Sequence, residues 1–265
     1  MLRALPFIPS PPTVAVIRLQ GVIAAQARGA SLSDTGLAPL IEKAFRRKTP
    51  AAVALIVNSP GGSPAQSSLI ASRIRRLSEE KEVPVFAFVE DVAASGGYWL
   101  ACAADEIWVD PNSILGSIGV ISAGFGFSEF IARYGIERRV HTAGKSKSLL
   151  DPFKPEKPED VERLKALQTQ IHDSFIDHVK IRRGERLANQ DLFTGDVWVG
   201  QSAVEVGLAD GVGHLVPKMK ERFGEKVRFA VYAARRPYLS LFGTQMASGV
   251  MSELEERATY ARFGL

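Results

Sequence analysis

The sequence predicts an α/β protein, a single domain built on a parallel sheet with right-handed crossover helices. Three observations carry that prediction. Three runs, Val14–Leu19, Ala52–Val57 and Val85–Val89, are apolar almost throughout rather than alternating, as strands covered on both faces are. The segments between them carry apolar residues at helical spacing. Strand and helix then recur about every 30 residues, the length of a βαβ unit.

Residues 1–12 form a proline-rich lead-in, and the first strand stops at Gly21. Leu37, Leu40, Ile41, Ala44 and Phe45 predict the first helix, ahead of the Ala52–Val57 strand. Asn58-Ser59-Pro60-Gly61-Gly62 is a sharp turn, followed by a helix carrying Leu69, Ile70, Ile74 and Leu77. After the Val85–Val89 strand come a short Ala-rich helix near Gly96–Ala104 and a short strand at Ile107–Val109. Ser128–Tyr134 reads as helix and Glu137–Thr142 as an extended strand leading into Gly144-Lys145-Ser146-Lys147. Pro152, Pro155 and Pro158 keep the next segment out of helix. A long helix with Leu164, Leu167, Ile171 and Phe175 on one stripe covers about 160–183, and Val227–Val231 is a late strand. The domain thus spans 13–232. In the tail, 233–265, Met246, Val250, Met251 and Leu254 suggest an amphipathic helix.

Composition removes several function classes. The 265 residues are 46% hydrophobic and 23% charged, ordinary for a globular protein and far from disorder or a coiled coil. A net charge of +4 without clustered Lys/Arg does not mark a nucleic-acid binder. One cysteine, Cys102, excludes an intrachain disulfide and a Cys-rich zinc site. No apolar run reaches the ~18 residues of a membrane span, and prolines break the N-terminus too early for a signal peptide. The expected location is therefore cytoplasmic, with peripheral membrane attachment open.

Chemistry concentrates at two glycine turns. In Ala93-Ala94-Ser95-Gly96-Gly97-Tyr98, between a strand and a helix, the serine sits where free N–H groups point outward and glycines admit a substrate backbone. Attack by a serine on a carbonyl develops negative charge on oxygen, which such donors stabilise. The same residues also fit an N-cap serine with glycines for packing. Gly61 and Gly62 lie at the same end of the neighbouring strand and could supply a second donor and an edge for an extended peptide. A nucleophilic serine needs a base. His172 and His178 fall on the charged long helix and read as surface residues, and His141 and His214 sit in no triad pattern. A lysine made neutral by burial is the other choice. Lys145 and Lys147 would share a face of an extended strand, so spacing does not choose between them.

These blocks, taken in order, resemble the signal peptide peptidase A family of serine–lysine proteases. The resemblance runs from about Val14 to Gly213. It rests on Val14–Ile23, Asn58–Gly62, Ala94–Tyr98, Gly116-Ser117-Ile118-Gly119-Val120, and Gly144–Lys147 followed by Pro152-Phe153. It implies a Clp-protease/crotonase-like fold, Ser95 as nucleophile and a lysine as general base. Lys147, 52 positions after Ser95, matches the family's base best, with Lys145 as the fallback. Ser117 would hold the lysine amine, and Gly96 with Gly61 or Gly62 would form the oxyanion hole. No metal or organic cofactor is implied. The implied substrates are signal-peptide remnants and other unfolded apolar peptides, and the implied assembly is a homo-oligomer.

Three rival readings share the fold. A Clp-type triad is disfavoured because no histidine lies between Ser95 and His141. A crotonase-like acyl-CoA enzyme would use carboxylates such as Asp91 and Asp105 and leave the serines and lysine as coincidence. A non-catalytic scaffold at a membrane surface would need none of these residues.

Overall fold

The computed structural model describes residues 11–25, 31–46, 50–144, 146–233 and 258–265. The chain divides into two compact units, one of residues 1–118 with 177–265 and one of residues 119–176.

The first unit holds the sheet. Its strands are β1 (Thr13–Gln20), β2 (Ala52–Ser59), β3 (Val85–Ala94), β4 (Glu106–Val109), β5 (Ile114–Gly116), β6 (Val197–Val199), β7 (Gly211–Val212) and β8 (Arg228–Tyr232). They are ordered β6-β5-β3-β2-β1-β8, with β4 pairing β3 and β7. Every described ladder is parallel except β5 with β6, so the predicted parallel sheet is a mixed one at that edge. β2 is buried along its whole length, which explains its unbroken apolar run. Each fully buried Val or Leu there contributes about 1.5–3 kcal/mol.

Helices α1 (Asp34–Arg46) and α2 (Pro64–Lys81) are the crossovers between β1, β2 and β3. α2 begins where the sequence signals it: Ser63 is the N-cap, its Oγ accepting from Gln66 N–H at 3.4 Å, and Pro64 follows. Ile70, Ile74 and Leu77 face the core, whereas Leu69 is exposed. α3 (Gly96–Ala101) is short and completely buried. α6 (Gln201–Glu205) and α7 (Leu215–Phe223) follow later in the unit.

The 119–176 unit contains α4 (Ser128–Arg133) and most of α5 (Pro158–Arg183), whose turns from Asp177 onward belong to the first unit. The extended strand expected at Glu137–Thr142 is absent. Its charges are satisfied locally instead: Arg139 binds Glu137 at 2.6 Å and Arg138 reaches Asp151 at 3.4 Å. Lys147 closes a turn, its N–H donating to Gly144 O at 3.2 Å, so it does not lie on the extended strand expected to carry it. Pro158 opens α5 rather than preceding it, since a first-turn proline costs no hydrogen bond. Lys145, residues 1–10 of the lead-in and the expected helix at Met246–Leu254 lie outside the described residues, while residues 258–261 form one helical turn.

Candidate active site

β3 delivers Ser95 to the surface through a constrained junction. Ser95 has φ 51° and ψ −122°, a backbone region that non-glycine residues rarely adopt. Its N–H donates to Gly116 O at 2.8 Å, which extends the β3–β5 ladder by one bond and fixes the serine beside the Gly116-Ser117 step. Ser117 also has a positive φ, 49°, and its N–H donates to Asp196 O at 2.7 Å. Two part-exposed serines are thus held side by side by backbone bonds. Ser95 occupies the N-cap position of α3, yet its hydroxyl makes no capping hydrogen bond. The capping explanation of this serine is therefore removed.

The second glycine turn packs directly on the first. A Cβ on Gly61 would stand 2.8 Å from Ser95 Cβ and 2.9 Å from Gly96 N, and one on Gly97 would stand 2.2 Å from Ser59 O. Glycine is required here by close approach of two backbones. Buried Ser59 organises the turn: its Oγ donates to Gly21 O at 2.7 Å and accepts from Gly61 N–H at 3.3 Å. Gly61 N–H is therefore engaged. The N–H groups of Gly62 and Gly96 have no acceptor among the described residues. Five of the expected site residues, Ser95, Ser117, Gly61, Gly62 and Gly96, meet in one unit. Lys147 is exposed in the 119–176 unit.

The helix behind the serine is anchored from below. Tyr98 Oη donates to Leu208 O at 2.9 Å, and burial raises the tyrosine's pKa well above its usual value. Burial likewise pushes the Cys102 thiol up to about 11, which leaves it an inert core group. Arg183, 2% exposed, pairs with Asp210 at 2.7 Å. Burial opposes ionisation of Asp210, but the Arg183 hydrogen bond and charge outweigh it and hold its pKa below the usual range. His178 is not the surface residue the sequence suggested. It stacks on Trp99 with ring centroids 5.0 Å apart and its Nε2 lies 3.1 Å from Trp99 O, because the last turns of α5 cover α3. His214 is engaged by Asp110 at 2.9 Å.

The model of peptidase family S49 matches residues 78–222, more than half of the chain and inclusive of Ser95, Ser117 and Lys147. The chain belongs to peptidase family S49. Among curated S49-like relatives, the chloroplastic serine protease SPPA of Arabidopsis thaliana is 31% identical, over 91% of this chain and 37% of its own. Protease 4 of Haemophilus influenzae is 33% identical, over 77% and 33%. A Brucella melitensis protein named Na(+)/H(+) antiporter NhaA is 46% identical over 95% of this chain and 37% of its own length. The chain thus spans about a third of the length of these relatives. The fold is shared with a lysine-to-alanine mutant of the 1510-N membrane-bound stomatin-specific protease in complex with a substrate peptide, at TM-score 0.51 and 14% identity, covering 94% of this chain and 98% of that one.

Among the residues of this S49 chain that sequence reasoning did not single out are Ser59 as the organiser of the glycine turn and Ser113 beneath β3. Both are buried serines inside or beside apolar runs, and that mismatch of polarity was the signal available.

Proposed function

We propose that this S49 chain is a serine endopeptidase that cleaves unfolded apolar peptides, signal-peptide remnants among them, through an acyl-enzyme on Ser95. The observation that carries the proposal is the junction itself. Among the described residues, a serine whose hydroxyl makes no hydrogen bond is held at positive φ beside two N–H groups, of Gly62 and Gly96, that have no acceptor. An N–H pair flanking a nucleophile is what a tetrahedral oxyanion needs. Gly61, whose N–H is taken by Ser59, acts as a spacer that lets the two backbones meet.

In this reading, the Lys147 amine accepts the proton from Ser95 Oγ as the oxygen attacks the peptide carbonyl. The oxyanion collapses with loss of the amine, which takes the proton back from Lys147, leaving the acyl ester on Ser95. Water then attacks the ester, giving its proton to Lys147, and the carboxylic acid leaves as Ser95 Oγ is reprotonated. Ser117 directs the lysine amine. Lys145 is the fallback base. The active species is a homo-oligomer, a reading supported by the many exposed aromatic side chains of the 119–176 unit. No helix among the described residues is long and apolar enough to cross a membrane. A place at the membrane periphery draws support from the antiporter name of the Brucella relative.

The test is cleavage of unfolded casein and of apolar peptides by the native chain, Ser95→Ala, Lys147→Ala and Lys145→Ala. Activity lost by at least about 10³-fold in the first two and kept in the third is expected, the scale seen when a nucleophile or its base is removed. Loss with Lys145→Ala alone moves the base by two residues. Activity surviving Ser95→Ala refutes the proposal.

A further inference from the structure

We infer that Asn58 and Asp91 are positioning residues for this reaction, because their side-chain hydrogen bond clamps the bulge that aims Ser95. The inference rests on Ser95 being the nucleophile. From Val53↔Val85 to Val57↔Val89 the two strands run in step, but the next pair is Ser59↔Ala93. β3 therefore spends four residues where β2 spends two. The surplus changes the partner of β3. Phe86–Val89 lie against β4, whereas Val92–Ala94 lie against β5, and the next residue is Ser95. Bulges re-aim side chains in this way, but their extra residues lack ladder partners and need other restraints.

Restraints come from both sides. On the β2 side, Asn58 Nδ2 donates to Asp91 Oδ2 at 2.5 Å. On the β5 side, the buried Ser113 Oγ lies 3.0 Å from Val89 O and 2.5 Å from Glu90 O. Arg18 holds the Glu90 carboxylate through two bonds of 3.1 Å. The Asn58–Asp91 bond differs from the others in what it joins. Asn58 is the last strand residue but one before Pro60-Gly61-Gly62, and Asp91 is four residues before Ser95. The bond ties the arm carrying one oxyanion donor to the arm carrying the nucleophile and the other donor. A second observation separates this from general stability. Asn58 is 7% exposed and its Oδ1 is buried without a hydrogen bond among the described residues. An orphaned buried acceptor is costly, so an apolar residue would serve the core better. What the amide supplies is a directed bond to Asp91.

The experiment compares Asn58→Asp, Asp91→Ala, Asp91→Asn and the exchanged pair Asn58→Asp/Asp91→Asn, reading kcat and KM on an apolar peptide, fluorophosphonate labelling of Ser95, and melting temperature. Asn58→Asp sets two carboxylates against each other and Asp91→Ala removes the acceptor. Both should lower kcat and labelling rate by about 10²-fold with little change in KM, the scale of a small misplacement of reacting groups. Asp91→Asn keeps an acceptor, and the exchanged pair restores the bond with donor and acceptor reversed, so both should recover most of the lost kcat. Wild-type kcat in Asp91→Ala overturns the inference, as does a folded exchanged pair no faster than Asn58→Asp. Cleavage that survives Ser95→Ala is a separate result, since it removes the peptidase reading on which the inference stands.

Discussion

Ser95 is held at φ 51° by bonds made on either side of it: its own N–H to Gly116 O, and Trp99 N–H to Ser95 O at 3.1 Å. Such a backbone costs on the order of 1–3 kcal/mol and persists only where its surroundings over-determine it. The glycines around it supply that over-determination by letting backbones touch. Gly97→Ala should therefore lower stability by about 1–3 kcal/mol as its methyl meets Ser59 O, and should lower Ser95 labelling as the turn is pushed away. Gly124→Ala, with nothing within 4 Å of its Cβ, should stay within about 0.5 kcal/mol of the native chain. Thermal denaturation of the two variants side by side checks both. The serine and its glycines were legible because a short motif joins an apolar strand to a helix. Gly62 over Gly61 as the free donor was not, since that choice is made by Ser59 Oγ.

At the scale of elements, α3 is a six-residue helix that could not persist alone. α5 meets the Trp99 carbonyl of α3 and two carbonyls just past its end: His178 Nε2–H donates to Trp99 O at 3.1 Å, and Arg182 donates to Cys102 O and Ala104 O, each at 2.9 Å. The carbonyl can only accept, so the proton of this bond is carried on Nε2. Burial lowers its pKa from 6.5 to about 4. Between those values the unfolded chain binds a proton that the folded chain does not, so stability rises with pH across that window. The native chain should lose up to roughly 3 kcal/mol from this group as pH falls from 7 to below 4, less what partial exposure screens. His178→Phe keeps the stack without the titration and should show a shallower loss. Urea unfolding of both chains at pH 7, 5 and 4 measures the difference, and parallel curves would contradict it. The helical stripe of α5 was visible in the sequence. That its last turns face α3 was not, because His178 lies among Lys180, Arg182 and Arg183 and local composition reads as solvated surface.

The whole molecule pairs a sheet unit with a buried core and a 119–176 unit that leaves apolar side chains outside. Phe125 is 82% exposed, Tyr134 66% and Phe130 58%, and the rings of Phe125, Phe127 and Phe153 form a chain of contacts. Exposed aromatics gathered in one unit exceed what scattered surface residues explain and fit a covered interface. Under the proposed self-association, the purified chain should sediment as a species heavier than 28.8 kDa. Phe125→Ser with Phe130→Ser should shift it toward the monomer. A single 28.8-kDa species in the native chain would remove that proposal.

What the sequence determined by itself was whatever is encoded locally or by period. Continuous apolar runs fixed β1, β2 and β3 as covered strands, helical spacing placed α1, α2 and α5, and ordered glycine motifs marked both turns at the strand ends. The tertiary structure decided what depends on partners distant in the chain. It put the antiparallel edge at β5–β6, left Glu137–Thr142 unpaired, turned His178 inward and set two residues of β2 against four of β3. A strand's identity is written in its own residues, whereas its register and the free donors at its end depend on which neighbour it meets.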